Sequence, residues 1–425
     1  MLNLENNLLS ELPDAIFERS RLQMLESINL AGNKFESAPL QTLQRQYFFL
    51  SAVDLSRNQL RDIPAEDSIM VNIKKLDLSY NPLSQEAVEN VLGEPKTVRE
   101  LNLAGTGITS VTQMETPFLR KLNLSHNSIN SLPDTVFERP TLLETLDISN
   151  NGLSELPHVW QRLKNLQVLD VSENPVMSIL QGDLDGLEGL RSLKIHDFTM
   201  CTRLEKNAFK SLSNLAELEA YGYPRLGYLD VPGILRNLPA LERLDIELKD
   251  AAIGGDHLTS ALQPRLRELG LRGPRVRSLS SGVLAGLRGP SVRVGLRNTS
   301  VSALPPALFF TLPRSTRLEL DVSGSKLSTL GPPLLAALDE RKGDLTLIGL
   351  ADNPINCDCG ARALRRWLPG AGMSGIRCVT PENLAGQLLI EVADDELTCD
   401  PNRPPTHLKV HWFLHRRPHI PQNPT

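Results

Sequence analysis

The chain has 425 residues, of which 40% are hydrophobic and only 4% are aromatic, and its formal net charge at pH 7 is -5. A mildly negative chain with so few aromatic residues does not favour nucleic acid as a partner. No apolar run approaches the roughly 20 residues that span a bilayer, and the N-terminus lacks the basic-then-apolar layout of a signal peptide. The sequence therefore predicts no transmembrane segment.

A short phrase, LRKLNLSHNSINSLP at residues 119–133, recurs along the whole chain. Its alternation of Leu122 and Leu124 with polar residues has the period of two that is typical of a strand with one buried face. Asn127 follows at a turn, where its amide can bond the backbone of an adjacent copy. This spacing is that of leucine-rich repeats. Because one copy cannot bury its own apolar face, the phrase predicts a stacked array.

The second strand leucine of the phrase aligns in fifteen copies that lie 21 to 28 residues apart. These positions are Leu4, Leu30, Leu55, Leu78, Leu103, Leu124, Ile148, Val171, Ile195, Ala220, Ile246, Leu271, Leu296, Val322 and Leu350. The array predicts an α/β repeat solenoid over residues 1–352, a leucine-rich-repeat horseshoe with a parallel concave β-sheet. The first copy lacks its leading half, so we expect the chain to begin inside a repeat and to be a fragment.

The turn asparagine is frequent in the first half of the array and is then lost. It is present at Asn7, Asn33, Asn58, Asn81, Asn127, Asn151 and Asn174. The equivalent positions then read Phe198, Tyr223, Lys249, Pro274, Thr299 and Ser325, until Asn353 restores the pattern. We expect the second half to be locally less stable or differently curved.

Four of the five cysteines follow the array, so residues 353–400 are predicted to form a cysteine-rich cap. Cys357 and Cys359 lack the two-residue gap that is usual in structural zinc pairs, which favours disulfides, although four cysteines allow three pairings. Cys201 stands alone, and we expect it to be a small buried hydrophobe rather than a reactive thiol. Residues 401–425, rich in Pro, His and Arg, are predicted to be a disordered tail.

The repeats followed by Asn353-Pro354 and the cysteine cap resemble a group of extracellular leucine-rich-repeat proteins that includes slit, connectin and chaoptin. The long array and the sequence of its repeats look most similar to chaoptin-like arthropod adhesion proteins. The resemblance implies a secreted or cell-surface recognition or adhesion protein, often glycosylated, that binds through its concave face or an edge. It also implies disulfides from Cys357 to Cys378 and from Cys359 to Cys399. The alternative, an intracellular leucine-rich-repeat scaffold, is motivated by the missing signal peptide.

Two sets of outward residues are candidates for binding. The position between the two strand leucines carries a mostly acidic stripe that includes Asp54, Asp77, Asp147 and Asp170. This stripe is suited to a basic partner. The alternative is a purely structural role, because Asp followed by Leu-Ser is common at this position of the repeat. The tyrosines Tyr80 and Tyr221 are the aromatic candidates, since tyrosine is common at binding hot spots. Tyr223 and Phe198, in contrast, occupy the position of the turn asparagine, where their rings can fill the space inside the turn.

An arginine-rich segment forms a third candidate. Ten arginines lie between Arg265 and Arg317, against the single acid Glu268. A field of one sign can attract a sulfated glycan, or the acidic stripe of a second copy of the chain. Only Arg272, Arg293 and Arg297 map to outward strand positions, so the alternative is a solvated outer surface.

Two sequons for N-glycosylation are present, at Asn123 and Asn298. A glycan on Asn123 would stand on the middle of the concave sheet and direct binding to the second half or to an edge. The sequence contains no HExxH, GxSxG or phosphate-binding glycine loop, so it predicts no enzyme, catalytic residue, metal or cofactor. The expected partner is a protein ligand or a second copy of the chain.

Overall fold

The computed structural model describes residues 1–13, 16–17, 24–43, 46, 48–63, 72–93, 97–258 and 265–399. Fifteen strands form one sheet in chain order, and every neighbouring pair is parallel. They are β1 (Leu2–Asn3), β2 (Ser27–Asn29), β3 (Ala52–Asp54), β4 (Lys75–Asp77), β5 (Glu100–Asn102), β6 (Lys121–Asn123), β7 (Thr145–Asp147), β8 (Val168–Asp170), β10 (Ser192–Lys194), β12 (Glu217–Ala220), β13 (Arg243–Glu247), β15 (Glu268–Gly273), β17 (Ser291–Thr299), β18 (Arg317–Asp321) and β19 (Leu345–Ile348). This inner sheet confirms the predicted solenoid.

The core is built from leucines that stack from copy to copy. Strand β6 pairs with β7 without offset, so that Leu122 lies beside Leu146 and Asn123 beside Asp147. Leu122 and Leu124 are buried. Because each strand repeats this alignment, the apolar side chains form continuous rows inside the solenoid and the polar ones face outward.

The return segments are short helices, single turns and small ladders. The helices are α1 (Leu40–Leu43), α2 (Gln85–Gly93), α3 (Val231–Arg236), α4 (Gly255–Leu258) and α5 (Pro332–Glu340). Single 3-10 turns span His158–Arg162, Lys206–Phe209 and Pro306–Thr311. On the outer side β9 (Ser178–Ile179) pairs with β11 (Arg203–Leu204), and β14 (Ala252–Ile253) pairs with β16 (Ser278–Leu279). No helix in the described ranges has the length and apolar character needed to cross a membrane.

The turn asparagines join each copy to the preceding one. Asn81 donates its amide hydrogens to the carbonyl oxygens of Leu78 and Leu55, both at 2.9 Å, and accepts from the backbone N–H of Leu60 at 3.1 Å. The same ladder is present at Asn33, Asn58, Asn127, Asn151, Asn174 and Asn353. Each side chain therefore satisfies backbone groups that a buried bend would leave unpaired.

Other groups take over where the asparagine is lost. The side chains of Phe198 and Tyr223 are fully buried in the turn, and the Tyr223 hydroxyl donates to the carbonyl oxygen of Ile195. The Tyr223 backbone is held from the next copy: Glu247 accepts from its N–H at 2.8 Å, and the Lys249 ammonium donates to its carbonyl at 2.5 Å. Glu247 and Lys249 also form a buried ion pair of 2.6 Å. The predicted lower stability or altered curvature of this half stays a prediction.

The predicted alignment of the last copy is wrong by one residue. Strand β18 pairs with β19 so that Leu320 lies beside Leu347 and Asp321 beside Ile348. The position equivalent to a second strand leucine is therefore Gly349, whose φ of 73° turns the chain. Leu350 instead begins the 3-10 turn Leu350–Asp352 and is buried at the junction with the cap.

The cap consists of β20 (Ile355–Asn356), α6 (Ala361–Ala371), β21 (Cys378–Thr380) and the 3-10 turn Glu382–Leu384. Disulfides join Cys357 to Cys378 and Cys359 to Cys399, with Cα–Cα distances of 5.5 and 5.0 Å. Trp367 on α6 donates from Nε1 to Asp339 of α5 at 2.7 Å, which fixes the cap to the last repeat. The tail predicted at residues 401–425 lies outside the described residues.

Candidate binding surface on the inner sheet

Three rows of outward residues describe the inner sheet, with one residue per copy in each. The stripe is the position between the two strand leucines. The shoulder row is the position directly after the second strand leucine. The corner row is the next residue, where the chain turns away from the sheet.

The stripe carboxylates close the turns at the strand ends. Asp77 accepts from Ser79 N–H at 2.9 Å and from its hydroxyl at 2.6 Å, and Asp147 accepts from Ser149 N–H at 3.0 Å and from its hydroxyl at 2.7 Å. Asp54 and Asp170 make the same backbone bond to Ser56 and Ser172. Burial raises the pKa of Asp147 even though the bonds from Ser149 act in the opposite direction. These aspartates therefore have a structural role in the turns, as the alternative interpretation holds, and Asp54, Asp77 and Asp147 also line an open cleft of about 590 Å³.

The shoulder row changes character between the two halves. In the second to eighth copies it carries only small residues: Ala31, Ser56, Ser79, Ala104, Ser125, Ser149 and Ser172. In the next five copies it carries His196, Tyr221, Glu247, Arg272 and Arg297. The strands also lengthen from three residues in β8 to six in β15 and nine in β17. The second half thus carries large side chains in this row of a wider sheet, and all of them except the buried Glu247 are at least partly exposed.

Tyr221 faces outward as predicted, but both faces of its ring are covered. The His196 ring lies parallel to it, with centroids 4.8 Å apart and an interplanar angle of 3°. The Arg272 guanidinium carbon lies 3.8 Å from the centroid of the Tyr221 ring, in a cation-π contact. Burial raises the pKa of Tyr221 to about 12, although the charge of Arg272 acts to lower it. The stacked ring lines a cleft of about 400 Å³ together with Glu219, to which its hydroxyl lies at 3.4 Å.

The outward arginines have carboxylate partners. Arg272 donates from Nε and Nη2 to the two Asp245 oxygens at 2.7 and 2.9 Å, and Arg297 donates from Nη1 to Asp245 at 2.6 Å. Gly270 makes room for this network, since a Cβ there would lie 2.7 Å from Asp245 Oδ1. Arg293 pairs with Glu319 at 2.5 Å. The three strand arginines are thus not a free field of positive charge.

Tyr80 lies apart from this cluster, in the corner row of the fourth copy. It has a φ of 54° and is 47% exposed. The Arg57 guanidinium lies 5.4 Å from its ring centroid, and the His126 ring lies 6.4 Å away. The ring rests on Gly105, where a Cβ would lie 2.6 Å from Tyr80 Cδ1. Tyr80 therefore remains a second, exposed aromatic candidate.

The two sequons lie in different rows. Asn123 belongs to the stripe, is partly buried, and accepts from Ser125 N–H at 2.9 Å and from its hydroxyl at 2.7 Å. Asn298 belongs to the corner row and is exposed.

Cys201 is fully buried, and burial raises the pKa of its thiol, which fits a packing role.

Sequence reasoning missed three features of this surface. His196 was not a candidate, Asp245 was only one member of the acidic stripe, and the buried Glu247 to Lys249 pair was not foreseen. The signal was the shoulder row, whose change from Ser and Ala to large residues becomes visible when the copies are read as columns. The acidic partners were also overlooked because Asp245 precedes the arginine-rich segment and Glu319 follows it.

Within the described ranges, the one group of side chains arranged like metal ligands is Asp358 with Cys359 and Cys399. Both cysteines are joined in a disulfide, so they do not offer thiolates to a metal.

Two family models match the chain. The model described as Leucine rich repeat matches residues 117–176, and the model described as Leucine rich repeat C-terminal domain matches residues 375–400. The chain therefore contains leucine-rich repeats and a leucine-rich-repeat C-terminal domain. This agrees with the fifteen-stranded sheet and the two disulfides.

Similar proteins are found among insects and among solved bacterial structures. Chaoptin of Drosophila melanogaster is 25% identical over 397 residues, covering 86% of this chain and 30% of chaoptin. Chaoptin of Tribolium castaneum is 27% identical over 379 residues, covering 86% and 48%. This leucine-rich-repeat chain therefore spans less than half the length of either relative. A leucine-rich-repeat protein of Leptospira interrogans has a TM-score of 0.59 at 22% identity, covering 86% of this chain and 93% of that one, which shows the shared fold. The curated relatives are extracellular or cell-surface leucine-rich-repeat proteins.

Proposed function

We propose that this chain is a non-catalytic recognition or cell-adhesion module of the cell surface or extracellular space. In this proposal it binds a protein ligand on the inner sheet around Tyr221. The observation that carries the proposal is the change of the shoulder row, which carries His196, Tyr221, Glu247, Arg272 and Arg297 on five successive copies after seven copies of small residues. Glu247 is buried, so the exposed part of this change is His196, Tyr221, Arg272 and Arg297. Seven earlier copies carry Ser or Ala at this position, so the fold of a single repeat does not require a large side chain there.

The geometry around Tyr221 supports a preformed site. The ring is held between His196 and Arg272, and Arg272 is itself held by two hydrogen bonds to Asp245. Side chains that are already fixed lose little conformational entropy when a partner binds. Tyrosine and arginine are also the residue types that most often carry binding energy at protein interfaces.

The charges around the cleft favour a protein ligand over a sulfated glycan. Its lining contains the four acids Glu217, Glu219, Asp245 and Glu268 and the three arginines Arg243, Arg272 and Arg297. Because Asp245 already binds two of these arginines, a sulfate group would have to compete with it. A partner with basic or neutral polar side chains meets no such competition.

A binding assay with matched tyrosine variants tests the proposal. Fluorescent beads coated with the secreted chain are offered to cells of the source tissue and to beads carrying the same chain, so that both a foreign ligand and a second copy are sampled. Tyr221→Ala should weaken binding by about 30-fold, which corresponds to a hot spot of about 2 kcal/mol. Tyr228→Ala is the control, since Tyr228 is 69% exposed and does not line the cleft. Equal binding by the two variants, with unchanged circular dichroism, would reject this surface as the site.

A further inference from the structure

Asn298 lies at an open corner of the solenoid. Its φ is 50°, in the left-handed region that asparagine adopts more readily than most residues. Both neighbouring copies carry glycine in the corner row, at Gly273 and Gly324. A Cβ at Gly324 would lie 2.7 Å from the Asn298 backbone nitrogen, so glycine is needed for this close approach. No side chain of the corner row therefore covers the Asn298 amide from either side.

The rest of the sequon is fixed while the Asn298 side chain is not. Thr299 is buried and donates its N–H to the Gly324 carbonyl at 2.8 Å, and the Ser300 hydroxyl donates to the Pro274 carbonyl at 2.7 Å. Within the part of the chain that the structure describes, the Asn298 side chain makes no hydrogen bond. Another corner asparagine, Asn150, is by contrast bonded to Glu173 at 2.9 Å. An exposed and unbonded amide on a rigid corner is sterically suited to carry a large substituent.

We propose that Asn298 is an N-glycosylation site. The donor would be a lipid-linked oligosaccharide diphosphate of the secretory pathway. The Asn298 amide nitrogen forms a bond to the anomeric carbon of the sugar and loses one proton. The bond from that carbon to the diphosphate oxygen breaks, and the lipid diphosphate leaves with the bonding electron pair. The inference rests on the proposed extracellular location, since only a chain that enters the secretory pathway meets this donor.

The position of this glycan matters for the proposed binding surface. Asn298 lines a second cleft of about 410 Å³ together with Tyr221, Arg272 and Pro274. This cleft opens at the edge of the inner sheet where the strands end. A glycan on Asn298 would stand at that edge, so a ligand would reach Tyr221 across the open face of the sheet instead.

Site occupancy can be measured directly. The full chain is secreted from eukaryotic cells, and its glycans are removed with a peptide amidase in heavy-oxygen water, which converts a glycosylated asparagine to a labelled aspartate. Mass spectrometry should find the label at Asn298. Asn298→Asp tolerates the same left-handed conformation, and Ser300→Ala removes the sequon together with the hydrogen bond to Pro274. Each variant should lower the mass of the secreted protein by one glycan. Asn123→Asp is the matched control and should leave the label at Asn298 in place.

The result that overturns the inference is an unlabelled Asn298 peptide from secreted chain whose cap cysteines are oxidised. That outcome leaves the proposed function standing, because the Tyr221 comparison is an independent measurement. An unchanged mass of both variants would overturn it equally, whereas the loss of one glycan mass from both variants and of the label from Ser300→Ala supports it.

Discussion

At the scale of single residues, the corner row shows how neighbouring copies fix each other. Arg57, Tyr80, His126, Glu173 and Asp197 all have positive φ, which costs about 1 to 2 kcal/mol for a residue with a Cβ. The chain tolerates this cost because the corner is bonded to the next copy. Tyr80, for example, donates its N–H to the Ala104 carbonyl at 2.7 Å. The stack therefore holds a conformation that an isolated turn would avoid.

Alanine substitutions at two nearby glycines can distinguish the cost of a strained backbone from the cost of a steric clash. Gly105 and Gly107 both have positive φ, at 62° and 81°, but only Gly105 lies beneath the Tyr80 ring. Gly107→Ala should cost about 1 kcal/mol, the price of positive φ alone. Gly105→Ala should cost more, because its Cβ would also displace Tyr80. Urea unfolding measures the difference, and equal destabilisation of the two variants would show that the Tyr80 ring yields freely.

Two glutamates in ion pairs should behave very differently. Glu247 is buried with Lys249 and also binds the Tyr223 N–H, whereas Glu319 pairs with Arg293 near the surface. Glu247→Ala should destabilise by about 3 to 5 kcal/mol, because it leaves a buried ammonium without its counter-charge. Glu319→Ala should leave the stability almost unchanged, because water screens the exposed pair. Thermal and urea unfolding of both variants provide the test, and a comparable loss in the two would contradict the assigned role of Glu247.

At the scale of one repeat, the turn asparagine is the main polar link between copies. Each ladder asparagine satisfies a carbonyl of its own copy and a carbonyl and N–H of the preceding one. The fifth copy shows a natural substitute, since Thr106 occupies the ladder position and its hydroxyl donates to the Leu103 carbonyl at 2.8 Å. A threonine thus replaces part of the bonding but not the reach to the preceding copy.

This difference leads to a graded prediction at Asn81. Asn81→Ala leaves the buried Leu78 carbonyl and the Leu60 N–H without their partner, and each unpaired group costs about 1 to 3 kcal/mol. The Leu55 carbonyl keeps its bond from the Asn58 amide at 3.0 Å. Asn81→Thr should lose less, because the hydroxyl can keep the bond within its own copy as Thr106 does. Hydrogen exchange at the Leu60 amide is the readout. Protection of the Leu60 amide should fall strongly in Asn81→Ala and less in Asn81→Thr. Unchanged protection in the alanine variant would show that the asparagine ladder does not stabilise this turn.

The repeat also shows which features a sequence can predict. The strands were predictable because period-two leucines and the turn asparagine recur with the same spacing in most copies. The last copy was misaligned because Ile348 and Leu350 have the spacing of the two strand leucines, whereas pairing with Leu320 assigns these positions to Leu347 and Gly349. The partners of Arg272 and Arg297 were missed because Asp245 lies 27 and 52 residues away in sequence, although strand stacking brings it within hydrogen-bond distance.

At the scale of the whole molecule, the two halves of the solenoid are held together differently. The first half relies on short strands and the asparagine ladder. The second half relies on longer strands, buried aromatic rings and cross-strand ion pairs such as Arg272 with Asp245. In a solenoid each copy contacts only its neighbours, so stability is roughly a sum of local terms and the ends matter most. The two cap disulfides close the end that borders the half without a regular ladder.

Reduction of the cap disulfides should therefore loosen the molecule from its C-terminal end. Loss of a native disulfide typically costs about 2 to 5 kcal/mol, and without the cap the last copy exposes its apolar face. Under mild reduction, hydrogen exchange should rise first in residues 355–399, then through the copies that lack the asparagine, and should slow where Asn174 begins the regular ladder. Cys201 is the internal control: its thiol is buried and its pKa is raised, so it should resist alkylation until its own copy opens. Simultaneous loss of protection in all copies would show that the solenoid unfolds as one cooperative unit, and earlier loss in residues 24–174 would contradict the lower stability expected of the second half.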